Sequence, residues 1–271
     1  MRRPSIGWFD DAVVARGRPA GDFDYERHGQ AYAQVRQTDP RIEARVHQAL
    51  GAARTVLNVG AGAGSYEPVD RYVVAVEPSA AMRAQRPAGA PPAVDATAEH
   101  LPFDDDSFDA VMATMTIHQW SDVHRGLREM RRVSRGPVVV LTLDAPALEQ
   151  FWLSDYIPEV VAVEKARFPH LDVVVDALAA GSTKVEVDVV AVPHDCSDGF
   201  GEAFFARPEA FLQPQVHAAT SGLVLTGPDA VQRGLDRLEA DLSSGAWDQR
   251  YGHLRTQSER RGAVRLVTAV S

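Results

Sequence analysis

"TVLNVGAGAGSYEPVDRYVVAVE", residues 55–77, is a short apolar run that empties into alternating glycines, followed by a second apolar run that ends on an acid. Thr55–Val59 carries the β-branched side chains of a buried strand. The turn behind it holds Gly60, Gly62 and Gly64. Glycine has no Cβ and tolerates positive φ, so such a turn lets backbone N–H groups approach a charged ligand closely. The second run, "YVVAV", ends on Glu77, twelve residues after Ser65, where a carboxylate can hold both hydroxyls of a ribose. Dinucleotides and S-adenosylmethionine (SAM) both satisfy this pairing. A dinucleotide fingerprint wants a third small residue at the position of Ser65 with a long helix behind it, yet Pro68 interrupts here. Only about two helical turns fit before Tyr72, which suits a single amino-acid carboxylate better than a pyrophosphate. On the glycines alone SAM and NAD both stay open.

Outward from this unit, strand and helix alternate. "PSAAMRAQ" reads as a short helix, "PAV" near Val94 as a third strand and "SFDAVMATM" as a fourth; "SDVHRGLREMRRV" reads as a helix capped by Ser121, and "GPVVVLTL" as a fifth strand. Alternation of this kind implies a parallel sheet covered on both faces, with ligands beyond the carboxyl ends of its strands. Gly60, Glu77, Thr97, Thr114 and Asp144 sit at such ends, so one crevice is expected to collect them. Upstream, Tyr25–Leu50 is helical, and Pro40 divides it into two helices, with Asp39 as N-cap of the second. Residues 1–24 lack periodicity and are expected to be poorly ordered or to serve as a lid. Downstream, residues 146–180 hold two or three helical pieces broken at Pro158 and Pro169 and stopped by Gly181, and "KVEVDVVAVP" alternates as a half-buried sixth strand. A punctuated insertion closes on a helix entered at Thr226 or Gly227, with an apolar stripe of Val231, Leu235, Leu238 and Leu242, and "AVRLVTAV" is a seventh strand.

The chain has 271 residues, 45% of them apolar, enough for one large core with an insertion. Its net charge of −9 opposes a nucleic-acid partner, since displacing counterions needs concentrated Lys and Arg. No stretch approaches the length of an apolar membrane span, and "MRRPSIGWFDDAVV" lacks the apolar core of a signal peptide. Cys196 is the only cysteine, which excludes an internal disulfide and a thiolate metal cluster. A cytoplasmic setting is expected. "DDDSFD" reads as a solvated acidic turn, so no metal is expected. Nothing in the sequence decides an oligomeric state.

Four blocks in order, "VLNVGAGAGSYE", "VVAVEPSAAM", "DATAEHLPFDDDSFDAVMATMTIHQW" and "LREMRRVSRGPVVVLTLD", make roughly residues 54–144 similar to the class I SAM-dependent methyltransferases. The likeness is to the small-molecule group that resembles the ubiquinone and menaquinone biosynthesis methyltransferases. The third block is the most specific, because "AEHLPF" followed by a strand and "IHQW" is not a feature of nicotinamide enzymes. The resemblance implies an α/β, Rossmann-like seven-stranded sheet, mostly parallel with an antiparallel last strand. It implies a single domain over residues 1–271, with a helical lid at 1–50 and cap insertions at 145–181 and 195–250. It further implies SAM as cofactor. Gly60, Gly62 and Gly64 would wrap the methionine moiety, and the Gly60 carbonyl and the backbone near Thr114 would accept from its ammonium. Glu77 would hold the ribose. Pro78, Ser79 and Met82 would line the turn under the adenine, with Thr97, Ala98 and Glu99 at the adenine edge. Many relatives carry an acid where Thr97 stands, which leaves Glu99 and Asp95 as substitute acceptors for the adenine amino group. Tyr32 and Arg36 are candidates to cap the carboxylate, since a guanidinium pairs bidentately with it.

Methyl transfer is an in-line displacement at a carbon whose leaving group is already activated, so positioning supplies most of the acceleration. A hydroxyl or amine acceptor still benefits from a base. His118, beside Trp120 just after the fourth strand, is the first candidate, though in relatives this histidine is often structural. His194 and Asp195 follow the sixth strand, where the turn chemistry of "PHDCSDG" explains them at least as well. Tyr25, His28 and Tyr32 read as lid residues or as ordinary helix packing. Phe151, Trp152, Tyr156, Phe200, Phe204, Phe205, Phe211 and Trp247 place aromatics in the cap, some as its core, which suits a small or medium-sized, partly apolar acceptor. Two other readings stand beside this one. A nicotinamide-dependent oxidoreductase is favoured by the glycines and Glu77 but disfavoured by the short helix; a non-catalytic SAM-binding regulatory protein is favoured because no base is compelling.

Overall fold

The computed structural model describes residues 23–28 and 35–270. Seven strands form one sheet: β1 (Thr55–Val59), β2 (Tyr72–Val76), β3 (Ala93–Val94), β4 (Ala110–Thr114), β5 (Val138–Leu143), β6 (Lys184–Val189) and β7 (Val264–Val270). Their spatial order is β3-β2-β1-β4-β5-β7-β6. The first five pair in parallel, and β7 runs antiparallel between β5 and β6, with Val138 opposite Ala269 and Val187 opposite Val267. The chain leaves β1 toward β2 and β3 on one side and returns to β4 on the other. The β1/β4 boundary is therefore the switch point, and a crevice opens at the carboxyl ends there.

The strand residues explain this order. β4 and β5 are apolar nearly throughout and buried on both faces, as a central parallel strand must be. β6 carries exposed Lys184, Glu186 and Asp188, charges that discourage further pairing at a sheet edge. The expected sixth strand ends four residues early. The N–H of Val190 still bonds the Val264 carbonyl, but Val192–Pro193 leaves to pair with Glu259–Arg260 in a separate two-stranded ladder.

Helix α1 (Pro40–Ala49) starts where the Asp39 carboxylate accepts from the Arg41 N–H at 3.0 Å, and it buries Ile42 and Val46. Helix α2 (Ala80–Arg83) is capped by Ser79, and α3 (Val123–Val133) by Asp122, which accepts from the Arg125 N–H. Ser121 is thus not the cap; its hydroxyl donates to Glu99 at 2.9 Å. Proline divides α4 (Pro158–Arg167) from α5 (Leu171–Ala179), and α6 (Pro228–Ser244) follows Gly227. One apolar layer packs α3 and α5 against the sheet; the other face receives α1 and the residues after β5.

All eight cap aromatics lie in that second layer, at 9% exposure or less. Trp152 sits edge-on to Tyr156, Phe211 and Trp247, with centroids 5.5 to 5.9 Å apart. They are cap core, and none of them lines the crevice. Among the described residues no helix is long and apolar enough to cross a membrane.

Candidate active site

A crevice of about 1350 Å³ lies at the carboxyl ends of β1, β2 and β4. Its floor is the glycine turn. The N–H groups of Gly60 and Ala61 both donate to the Val76 carbonyl at 2.9 Å, which stitches the turn to the end of β2. Gly60 has φ of 68°, and a Cβ there would stand 2.2 Å from Thr116 Oγ1. Both the handedness and the close approach require glycine. The Gly62 N–H donates to Glu77 Oε2 and the Ser79 N–H to Glu77 Oε1, each at 2.8 Å.

Glu77 is 7% exposed, and its burial pushes the carboxyl up from the usual range against the opposing pull of the two N–H bonds. An ionised carboxyl offers about four lone-pair sites, so each oxygen retains capacity for a hydroxyl donor from the crevice. Pro78, Ser79 and buried Met82 continue this wall, Met82 Cε lying 3.3 Å from where a Cβ on Gly62 would be. Glu26 reaches across from the N-terminal side, accepting from Ser79 Oγ at 2.8 Å and the Ala81 N–H at 3.2 Å.

Thr97, Ala98 and Glu99 form the next part of the wall. Burial opposes ionisation of Glu99, but the Asp122 N–H and the Ser121 hydroxyl on Oε1 outweigh it and hold the carboxyl below its usual range. Asp95 also lines the crevice and is paired with Arg83 at 3.0 Å. Helix α3 comes close to both Trp120 and Ala98: a Cβ on Gly126 would lie 2.5 Å from the indole and 3.2 Å from the Ala98 Cβ.

At the opposite end stand Thr114, Met115, His118, Arg36, Tyr66 and Arg167. Met115, a non-glycine residue at φ of 52°, is held by its N–H bond to the Leu141 carbonyl at 2.8 Å. His118 lies on a single 3-10 turn, Ile117–Gln119, and stacks on Phe168 at 4.1 Å between ring centroids. Burial, and then the nearby Arg167 and Arg36 cations, push its pKa well below the ordinary value, so the ring is neutral. Arg36 donates through Nε to Asp198 at 2.6 Å, and the same carboxylate accepts from the Tyr66 hydroxyl at 2.7 Å. Asp198 thereby takes the Nε/Nη2 edge of Arg36 that bidentate capping of a ligand carboxylate would have used.

The structure brings Arg36, Gly60, Gly62, Glu77, Pro78, Met82, Thr97, Ala98, Glu99, Thr114 and His118 to one crevice. Gly64 stands behind the turn, against the Glu67–Arg86 ion pair. Asp144 is not collected; it pairs with Arg265 across β5 and β7. His194 and Asp195 are not collected either. Both are more than half exposed on the outer surface, with Asp195 bonded to Arg41 at 2.7 Å. Their turn hydrogen-bonds across to Ser258 instead, which draws it away from the strand ends. Tyr32 and His28 fall where the structure gives no side-chain description, Tyr32 lying outside the described residues.

Sequence reasoning missed Thr116, Tyr66, Asp198 and Arg167. Asp198 lies in the turn "PHDCSDG" and meets Arg36 across 162 positions, a separation that no local pattern encodes. Tyr66 stands two residues after Gly64, and its closeness to the glycine motif was the one available signal.

The chain matches a family profile described as a methyltransferase domain over residues 57–141. A solved structure described as a "putative methyltransferase from antibiotic biosynthesis pathway" of Anabaena variabilis is 32% identical, covering 88% of this chain and 99% of that one, with a TM-score of 0.80. Among curated proteins, an uncharacterized methyltransferase of Bacillus subtilis is 32% identical over 117 residues, 39% of this chain and 46% of the relative. A malonyl-[acyl-carrier protein] O-methyltransferase of Halorhodospira halophila is 27% identical over 146 residues, 49% of this chain and 50% of the relative. The chain spans about half the length of the curated relatives it matches first.

Proposed function

The chain belongs to the class I SAM-dependent methyltransferases, and from that premise we propose that it transfers a methyl group to a small or medium-sized, partly apolar molecule in the crevice above β1 and β4. The observation that carries this reading is the joint placement of the Gly60–Gly62 backbone and the buried Glu77 carboxylate in the wall of one crevice. A cradle that a Cβ would fill, next to a carboxylate with lone pairs to spare, fits the amino-acid and ribose ends of the cofactor. SAM supplies an activated methyl group on a sulfonium sulfur.

The chain's own residues do the positioning. Gly60 and Gly62 bring backbone against the methionine end, and Glu77 receives the ribose hydroxyls. Met82 and Ala98 give the adenine an apolar rest, with Thr97 and Glu99 at its edge. Arg36 is poised by Asp198 at the carboxylate end, and Thr114 offers backbone to the ammonium. Phe23–Glu26, which line the crevice, serve as the described part of a lid that excludes water, the rest of the lid expected over residues 1–34 lying largely outside the described residues. The segments 145–181, apart from α5 on the other face of the sheet, and 195–250 form the cap, which contributes Arg167 to the wall and buries its aromatics within itself. A neutral, weakly basic His118 orients the acceptor rather than removing its proton, and His194 and Asp195 take no part. Positioning is then the main source of acceleration.

Calorimetry with SAM and NAD in parallel tests the reading. Binding of SAM at micromolar or tighter affinity with no NAD binding is expected; NAD binding alone would overturn it.

A further inference from the structure

Charge is distributed unevenly along the crevice. The acids in its wall, Asp24, Glu26, Glu77, Asp95 and Glu99, lie along the ends of β2 and β3 and the segment that crosses them, with Arg83, paired to Asp95, as the one cation of the wall among them. The far end presents Arg36 and Arg167; Asp198 and Glu164, two of the groups they bind, are not part of the wall. Arg167 is the last residue of α4, and its side chain is 6% exposed. Its Nη1 is anchored to Glu164 at 3.1 Å and to Ser221 Oγ at 3.0 Å, so the guanidinium is set in place before any ligand arrives. The next residue, Phe168, stacks on His118, which puts this cation beside the imidazole.

We infer that the acceptor is a carboxylic acid, that Arg167 holds its carboxylate beside His118, and that the product is a methyl ester. The inference rests on the methyltransferase reading above and names its substrate class. A hydroxyl or amine acceptor would need a base to take its proton, and the neutral His118 is a weak one. A carboxylate is already ionised at neutral pH and needs none. A carboxylate oxygen uses a lone pair to form the bond to the methyl carbon, the carbon–sulfur bond breaks with its electron pair left on sulfur, and no proton moves. The negative nucleophile and the positive sulfonium neutralise each other, a change that a partly desolvated site favours. Arg167 is the guanidinium placed for the acceptor, since Asp198 takes the Nε/Nη2 edge of Arg36.

The test has two arms on the full chain. In the first, protein saturated with S-adenosylhomocysteine is titrated with alkanoates and arylacetates, each against its corresponding alcohol. Carboxylates are expected to bind more tightly, and Arg167→Gln to weaken them by about tenfold or more with SAM affinity unchanged within about twofold. Arg167→Lys should recover part of the loss; a thermal melt checks that both variants are folded. In the second arm, SAM labelled in its methyl group is incubated with a low-mass bacterial extract, and the labelled product is treated with mild alkali. A methyl ester releases the label as volatile methanol.

Label stable to alkali, alcohols that bind as well as acids, or a loss of SAM rather than carboxylate affinity in Arg167→Gln would each overturn the inference. Failure of the wild-type protein to bind SAM is a different result, and it removes the parent reading together with this one.

Discussion

Alanine at Gly60 tests the floor of the crevice directly. The new Cβ would lie 2.2 Å from Thr116 Oγ1, 2.9 Å from its Cγ2 and 3.0 Å from its Cβ. Rotation about the Thr116 side chain cannot relieve the last of these. The backbone at position 60 has φ of 68°, which costs an L side chain about 1–2 kcal/mol. Overpacking against a fixed neighbour adds about 1–3 kcal/mol. Gly60→Ala should therefore lower stability by about 2–5 kcal/mol, a large share of what a domain possesses. Removing Oγ1 and Cγ2 in the double variant Gly60→Ala/Thr116→Ala should recover the packing share and leave the backbone share. Urea unfolding, with the denaturant slope checked for constancy, reads the stability, and calorimetry on the same samples reads SAM affinity. The single variant should lose at least about tenfold in affinity, because the turn's N–H groups are displaced from Val76. A Gly60→Ala protein as stable as wild type, or a double variant no better than the single, would refute the account of the turn.

Glu77→Ala leaves the N–H groups of Gly62 and Ser79 without their acceptor; a loss of about 1–3 kcal/mol is expected, together with weaker SAM binding by calorimetry. His118 has a folded pKa below its unfolded one, so the stability it contributes is full above the unfolded value of 6.5 and is lost as pH falls toward the folded value. Wild type should show an acid-side slope steeper than His118→Gln by up to about 1.4 kcal/mol per pH unit below that point, measured by unfolding at a series of pH values. Asp198→Asn strips the buried carboxylate from Arg36 and Tyr66 and should cost about 3–5 kcal/mol in the same unfolding assay. Phe211→Ala should cost a similar amount, about 3–5 kcal/mol, yet leave SAM affinity unchanged, since the ring is fully buried in the cap.

Strand, turn and acid in residues 55–77 were legible because each is a local demand on the backbone. Alternating glycines, a β-branched run and a carboxylate at the next strand end act within a few residues of one another, and the parallel order then follows from the alternation of elements. The helix start at Asp39 was readable for the same reason, and the one at Gly227 to within a residue, Thr226 being the alternative. The start of α3 was misread by one residue, because Ser121 and Asp122 are both good caps and the choice fell to Glu99, a residue 22 positions upstream that takes the Ser121 hydroxyl.

What only the tertiary structure decided concerns the cap end of the crevice. Composition put aromatic side chains in the insertions but could not say which way they face. In the folded protein they pack on one another, and Arg167 lines the crevice instead. Asp198 binds Arg36 and Tyr66, and His118 is kept neutral by burial, aided by the nearby guanidinium groups that α4 and the segment before α1 bring in. At the glycine turn the decisive bonds are short-range, as where Glu77 accepts from Gly62 across 15 positions and from Ser79 across two. The cap end of the crevice is assembled from contacts between residues up to 162 positions apart, and the electrostatics of such a cluster exist only once the chain has closed around it.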